Sequence, residues 1–264
     1  MDQTLADGKI LVSQTGHIKT ITFNQPYKKN ALSGDMAQAL TQVIAETAED
    51  DSRVVILTGA EKDFCSGADL DPRLVGQGEF NVTDFLRQTY NPSILAMREM
   101  NKIFVAKVRG ACVGVGFNFA LGCDLIYASQ NTKFNQIFTR IGFSSDGGGG
   151  YFMPAKLGYH KAFELMAFNK SITGEEAGEL GLVNQVFADA ELDQAVQDIS
   201  VALAEGPFLA IQHTKANIRT GMNEGLAAAL EVEAVNQGKN IVSHDFMEGI
   251  SAFLQKRKPK FKGK

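Results

Sequence analysis

In the segment IGFSSDGGGGYFMP, residues 141–154, one carboxylate, Asp146, stands directly in front of four glycines. An aspartate is a good helix N-cap, because its side chain accepts a free backbone N–H. Ionised and held where a carbon acid can reach it, it is also a base. Four consecutive glycines are costly in backbone entropy, and they suit a main chain that must pass close to another group. Cap and base are both open on these residues alone. Two other glycine-bearing turns could supply complementary chemistry. FCSGADL, 64–70, sets Gly67 among small residues. It reads either as a tight turn or as a backbone N–H, at Ala68, aimed at a ligand oxygen. GACVGVGFNFALGCDL, 110–125, places glycines between a strand and a helix. A helix start has free N–H groups and a positive dipole end, which suit an oxygen gaining negative charge. Close helix packing through small residues is the other reading. Gly114 and Gly116 begin a dinucleotide-type pattern, but Phe119 stands where its third glycine belongs.

The remaining reactive side chains are scattered. His17, His160, His213 and His244 are paired with no visible nucleophile, and no G-x-S-x-G turn occurs. Cys65 reads first as a small buried hydrophobe and second as a nucleophile. The ending KRKPKFKGK is strongly basic; it is either a solvated terminus or a contact for phosphate.

The elements that must position these groups alternate. KILVSQTGHIKTITFN predicts a hairpin with strands at Ile10–Ser13 and Ile18–Phe23. Apolar residues at Met36, Ala39, Leu40, Val43 and Ile44 predict a helix after Ser33, its expected N-cap. Arg53–Gly59 reads as a strand covered on both faces, and Ile103–Gly110 as a further strand. A helix is expected over Pro92–Met100. Strands are expected over Asp124–Ala128 and Thr132–Ile137. Beyond Gly147 the chain reads as helical, ending in two long segments after the Gly206-Pro207 break. Repeated β–β–α units followed by a helical tail predict an α/β fold, with a core over 1–205 and a helical C-terminal region over 206–264.

With 264 residues, 44% hydrophobic and 21% charged, the chain can bury a substantial core without staples. A net charge of -4 argues against nucleic acid as a partner. No apolar run is long enough for a transmembrane helix, and the acidic N-terminus does not resemble a signal peptide. Three widely spaced cysteines suit a cytoplasmic protein and lack the close pairing of a zinc site. No metal or separate cofactor is expected.

Taken in order, ITFNQPYKKNALS, VVILTGAEKDFCSGADL, VRGACVGVGFNFALGCDLIYAS, RIGFSSDGGGGYFMPAKLG and SITGEEAGELGLVNQVF resemble the crotonase superfamily, the enoyl-CoA hydratase/isomerase family, over nearly the whole chain. The resemblance implies a crotonase-type spiral of ββα units and a homotrimer or dimer of trimers. It implies an acyl-CoA thioester as substrate, with coenzyme A arriving as part of it. The N–H groups of Ala68 and Val115 would grip the thioester oxygen, with Ser66, Gly67 and Gly114 shaping the two turns. Most relatives have glycine where Val115 stands. Hydratases of the family use two glutamates, at the positions of Asn118 and Phe138; neither residue here can transfer a proton at neutral pH. Family isomerases carry one Glu or Asp at the position of Asp146, and the ring-epoxide phenylacetyl-CoA isomerases also have asparagine at Asn118.

The resemblance therefore implies an isomerase converting 3-enoyl-CoA to 2-enoyl-CoA, with Asp146 as its base. Hydration, dienoyl-CoA or ring-epoxide isomerisation, dehalogenase-like attack and a non-catalytic binding role are the alternatives. A dehalogenase-like relative would use a tryptophan, and this chain has none. For CoA the resemblance implicates Lys28 or Lys29, the main chain near Ala31, Asp69 and Leu70, with Lys215 and the basic tail as further candidates. Residues 71–92, with Phe80, Phe85 and Tyr90, would shape the acyl pocket, together with Asn118 and Phe138.

Overall fold

The computed structural model describes residues 2–70 and 81–264; Phe80 and the other residues of 71–80 lie outside them. The predicted hairpin forms from β2 (Ile10–Thr15) and β3 (Ile18–Phe23), antiparallel, with β1 (Gln3–Leu5) added on the outer edge of β2. From β3 the sheet continues in parallel through β4 (Val54–Gly59), β5 (Ile103–Val108), β7 (Leu125–Ser129) and β10 (Gln185–Phe187). A second sheet joins β6 (Ala111–Val113) to β8 (Lys133–Asn135) and β9 (Ile172–Thr173).

Both faces of the central strands are covered, which is why their sequences are almost continuously apolar. Alternation along β4 sends Val55 and Leu57 to one core and Val54 and Ile56 to another. The first core takes the apolar stripe of α1 (Gly34–Thr47), with Met36, Leu40, Val43 and Ile44 buried. The second takes α8 (Leu192–Ala204) through Leu192, Val196 and Ala204. Ser33 sits at the N-cap position of α1 but makes no cap bond; its hydroxyl turns instead to the Asp35 carboxylate.

Several elements depart from expectation. After α2 (Val82–Gln88), α3 runs Tyr90–Glu99, so Pro92 falls inside its first turn, where no N–H is missed. The short strands β1, β6, β9 and β10 have two or three residues each, too few for a periodic pattern, and exist through pairing. The C-terminal region holds three helices rather than two: α9 (Phe208–Glu224), α10 (Leu226–Asn240) and α11 (His244–Leu254). Gly225, at φ 88°, breaks the first pair, and the Ser243 side chain caps the last by accepting from the Phe246 N–H. Among the described residues no helix is long and apolar enough to cross a membrane.

Between these helices lie α4 (Val115–Gly122), α5 (Gly149–Leu157), α6 (Tyr159–Ala167) and α7 (Gly174–Glu179). A buried ion pair ties α9 to the core. Lys215 Nζ lies 2.8 Å from the Asp124 carboxylate and also donates to the carbonyls of Met97 and Lys102, both at 2.7 Å. Asp124 in turn accepts from the Phe104 N–H at the start of β5. Lys215 is therefore a structural residue and not a contact for CoA. Burial pushes the Asp124 carboxyl up and the Lys215 amine down, each offset in part by the other's charge. Such a pair adds little to stability, yet losing one partner strands a buried charge. Lys215→Met should destabilise the protein by about 3–5 kcal/mol in urea unfolding. Adding Asp124→Asn should recover most of the loss. Equal stability of Lys215→Met and wild type would show that the pair holds nothing.

Candidate functional site

The site forms at the carboxyl ends of β4 and β5, where three turns converge. The first follows β4. Here Cys65 and Ala68 make isolated parallel bridges to Cys112 and Leu32, respectively. The bonds Leu32 N–H to Gly67 O and Asp69 N–H to Leu32 O, both 2.8 Å, hold the chain on either side of Ala68. The Ala68 N–H between them has no acceptor among the described residues. Because Leu32 bonds the residues on either side, the Ala68 N–H faces away from that bridge, and Gly67, at φ 103°, makes the turn just before it.

The second turn leads from β6 into α4. Gly114 is the N-cap residue, at φ 56° and ψ -129°, and Val115 is the first helical residue. Its N–H has no partner within the helix, as for any first-turn donor, and carries the positive end of the helix dipole. These two turns can lie together because Gly116 has no side chain: a Cβ there would sit 2.6 Å from Cys65 Cβ and Sγ. Gly67 and Gly114 face each other, and the Phe138 ring edge lies against Gly114. Among the described residues the arrangement leaves two main-chain donors, Ala68 and Val115, without partners at adjoining turns.

The third turn carries Asp146. It is not the cap of α5; Gly148, at φ 84°, holds that place and no side chain caps the helix. One oxygen of the carboxylate, Oδ1, is buried with no hydrogen-bond partner among the described residues. Burial raises the Asp146 pKa from 3.8 to about 6, against a smaller opposite pull from its own backbone N–H. A carboxylate in this state is poised to take and return a proton near neutral pH.

The main chain at Asp146 is anchored where its carboxylate is not. Asn118 Nδ2, one turn into α4, donates to the Asp146 carbonyl at 2.7 Å. Asn118 Oδ1 accepts from Gln136 Nε2 at 2.7 Å, and Ser145 Oγ links the two amides at 3.2 and 3.3 Å. Asn118, fully buried, is thus committed to supporting Asp146. The glycine run makes this approach possible: a Cβ at Gly149 would lie 2.2 Å from Ser145 Oγ and 2.8 Å from the Asn118 amide atoms. Gly147, at φ 53°, packs against Val115 and Asn118. Gln136 and Ser145 escaped sequence reasoning; two polar residues in loops carry no signal until the fold brings them to Asn118.

The other predicted residues sit on the rim. Lys28 Nζ pairs with the Asp69 carboxylate at 2.7 Å, and Gln25 Nε2 donates to the same carboxylate. The Ser66 side chain donates to the Lys28 carbonyl, so it braces this loop rather than facing outward. Ala31 is buried, whereas Leu70 is exposed. The tail packs onto its own chain: Asp245 accepts from the N–H groups of Lys262 and Gly263, and Arg257 pairs with Glu248. The histidines take no part in the site; His17 meets the Asp51 carbonyl and His213 the Asn240 side chain. Cys65 is fully buried with its thiol pushed up to about 12, which leaves it inert as a nucleophile.

The family profile for enoyl-CoA hydratase/isomerase matches residues 13–264. The "Probable enoyl-CoA hydratase" of Rhodobacter capsulatus is 36% identical over 94% of this chain and 95% of its own. The 1,2-epoxyphenylacetyl-CoA isomerase of Escherichia coli is 31% identical over 94% and 95%. Among solved structures, an enoyl-CoA hydratase from Bacillus anthracis superposes with a TM-score of 0.90 at 29% identity, covering 97% of this chain and 100% of that one. The chain belongs to the enoyl-CoA hydratase/isomerase family, the crotonase superfamily.

Proposed function

We propose that the protein isomerises 3-enoyl-CoA thioesters to 2-enoyl-CoA by a one-base proton shuttle. The observation that carries this reading is Asp146: a carboxylate raised to about 6, with one oxygen unpartnered, beside two turns whose main-chain donors have no internal acceptor. The thioester carbonyl accepts from the Ala68 and Val115 N–H groups. Asp146 removes a proton from the α-carbon. The C–H electron pair forms a double bond between C1 and C2, and the carbonyl π pair moves onto the thioester oxygen, while the 3,4 double bond stays in place as part of the dienolate. The resulting dienolate collapses by taking the same proton from Asp146 at the γ-carbon, which leaves the double bond conjugated. Each preorganised donor lowers the barrier by roughly 3–4 kcal/mol. Because the donor at 115 is main chain, the valine side chain does not remove it.

Hydration is the weaker reading. Asn118 is spent on the Asp146 carbonyl and Phe138 has no acid–base function, so one carboxylate would have to activate water alone. A ring-bearing acyl group is the second substrate class. Phe85, Tyr90 and Phe119 form an edge-to-face series with centroids 5.3 and 5.8 Å apart, and the Asp146 charge adds to the rise of the Tyr90 phenol that burial produces. The epoxyphenylacetyl-CoA relative supports testing it. Apolar side chains exposed on the C-terminal helices, among them Ile218, Leu226 and Phe253, support a homotrimer or dimer of trimers.

The test is ultraviolet detection of conjugated thioester from 3-hexenoyl-CoA, with hydration of a trans-2-enoyl-CoA run in parallel. Asp146→Asn should lower isomerisation by about 10²–10⁴-fold. Robust hydration that survives in the variant would overturn the assignment. The wild-type kcat/KM should rise about tenfold per pH unit up to about pH 6 and then level, because the base must be ionised. An inflection near 4 would show that the carboxylate works solvated.

Stability should move the other way. The folded state holds the Asp146 proton more tightly than the unfolded chain, so its ionisation costs stability as pH rises from 3.8 to about 6. At about pH 8 the Asp146→Asn protein should be more stable by about 1–3 kcal/mol, and below about pH 4 the difference should close. Denaturant unfolding at both pH values checks the sign.

A further inference from the structure

We infer that Asn118, Gln136 and Ser145 form a polar clamp that sets where the Asp146 carboxylate stands relative to the Val115 N–H, and that Gln136 and Ser145 are positioning residues for proton transfer. The inference rests on the isomerase reading of Asp146.

Asp146 poses a placement problem. Its Oδ1 has no hydrogen bond among the described residues, and the contact of the carboxylate with its own backbone N–H ties it to no other part of the site. Asp146 directly precedes a left-handed Gly147-Gly148 pair, the most permissive backbone available. Left to itself, the segment would place the carboxylate poorly, and small displacements are expensive in proton transfer.

The main-chain carbonyl of Asp146 supplies the missing restraint. It accepts from Asn118 Nδ2 at 2.7 Å and from the Gly149 N–H at 3.1 Å. Asn118 lies on α4, whose first N–H belongs to Val115, and its own N–H bonds back to the Gly114 carbonyl at 3.2 Å. A single helical turn thus connects the oxyanion donor to the restraint on the base. An amide can rotate, and Gln136 prevents this: its Nε2 donates to Asn118 Oδ1 at 2.7 Å, which fixes the Asn118 NH₂ on the Asp146 side. Gln136 is itself 2% exposed and fixed in turn by Ser145 Oγ, which donates to its Oε1 at 3.3 Å. The ring of bonds closes through Asn118 Nδ2 to Ser145 Oγ. Every polar atom of the two amide heads that this ring uses points at another member or at Asp146. Such a closed network is stiff as a unit and loses most of its effect with any one member.

The clamp makes a specific kinetic claim, that its loss lowers kcat while binding of the CoA ester survives. Gln136→Met, Ser145→Ala and Asn118→Leu would be compared with wild type and with Asp146→Asn. The assays are 3-hexenoyl-CoA turnover and binding of butyryl-CoA, which cannot isomerise. Gln136→Met should lose on the order of 10–100-fold in kcat, with butyryl-CoA affinity within about threefold of wild type. The double variant Asn118→Leu/Gln136→Met should be about as slow as Asn118→Leu alone, because members of one network are not additive. If Asn118→Leu fails to fold, the first two variants carry the test. A Gln136→Met protein with wild-type kcat overturns the clamp, as does one in which kcat and butyryl-CoA binding fall by the same factor. Turnover that is absent from the wild type or survives in Asp146→Asn overturns the isomerase reading itself, and the clamp with it. Asp146-dependent turnover that ignores Gln136 overturns the clamp alone.

Discussion

The contact between the Cys65–Ala68 turn and the first turn of α4 is the constraint from which the site follows. Only a residue without a side chain fits at 116, because anything larger would enter Cys65. That contact holds two backbone N–H groups, each without an internal acceptor, at adjoining turns. Leaving donors unpaired is costly in a folded protein. It becomes useful when a ligand oxygen completes the bonding. The same helix start then defines where everything else must stand: Gly147 packs on Val115, Phe138 covers Gly114, and Asn118 reaches the main chain of Asp146.

Two buried aspartates show how environment separates structure from chemistry. Asp124 lies deep in the fold, yet one of its oxygens meets a lysine at 2.8 Å and a backbone N–H, and the other has Arg98 at 3.7 Å. Its charge is answered, and it serves to fasten α9 to the strands. Asp146 is less deeply buried, and among the described residues no cation contributes to its titration and one of its oxygens meets no donor. Its raised pKa is a destabilising feature of the folded state. A fold can hold such a group only where many other contacts over-determine the backbone around it. The hydrogen bonds to the Asp146 carbonyl do that here.

Much of the site was legible in the residues, and the failures are instructive. Gly67, Gly114 and Asp146 stood out because glycine beside a turn and a lone carboxylate before a glycine run are locally unusual. Asn118 could be noticed but not interpreted, since an asparagine on a helix may face substrate or protein; the bond to the Asp146 carbonyl decides it. Gln136 and Ser145 were silent, because their role depends on a partner 18 residues from one and 27 from the other. Lys215 was named as a candidate contact for CoA because sequence does not reveal that Asp124, 91 residues away, pairs with it. The division of the C-terminal region was also missed. Its apolar pattern continues past Gly225, and the break is visible only as a left-handed residue between two packed helices.

The sequence by itself determined the α/β order of elements, the continuous apolar strands of the parallel sheet and the family, and it singled out Asp146 and the two glycine turns as candidates. These are local properties: side-chain period, backbone freedom and residue type are fully present in a short stretch of chain. Tertiary structure alone decided that the Ala68 and Val115 donors lie at adjoining turns, that Asp146 is desolvated while Asp124 is paired, and that Asn118 turns to the protein. Dielectric environment and hydrogen-bond partnership belong to the space between segments distant in the chain, and they take values only after the fold has brought those segments together.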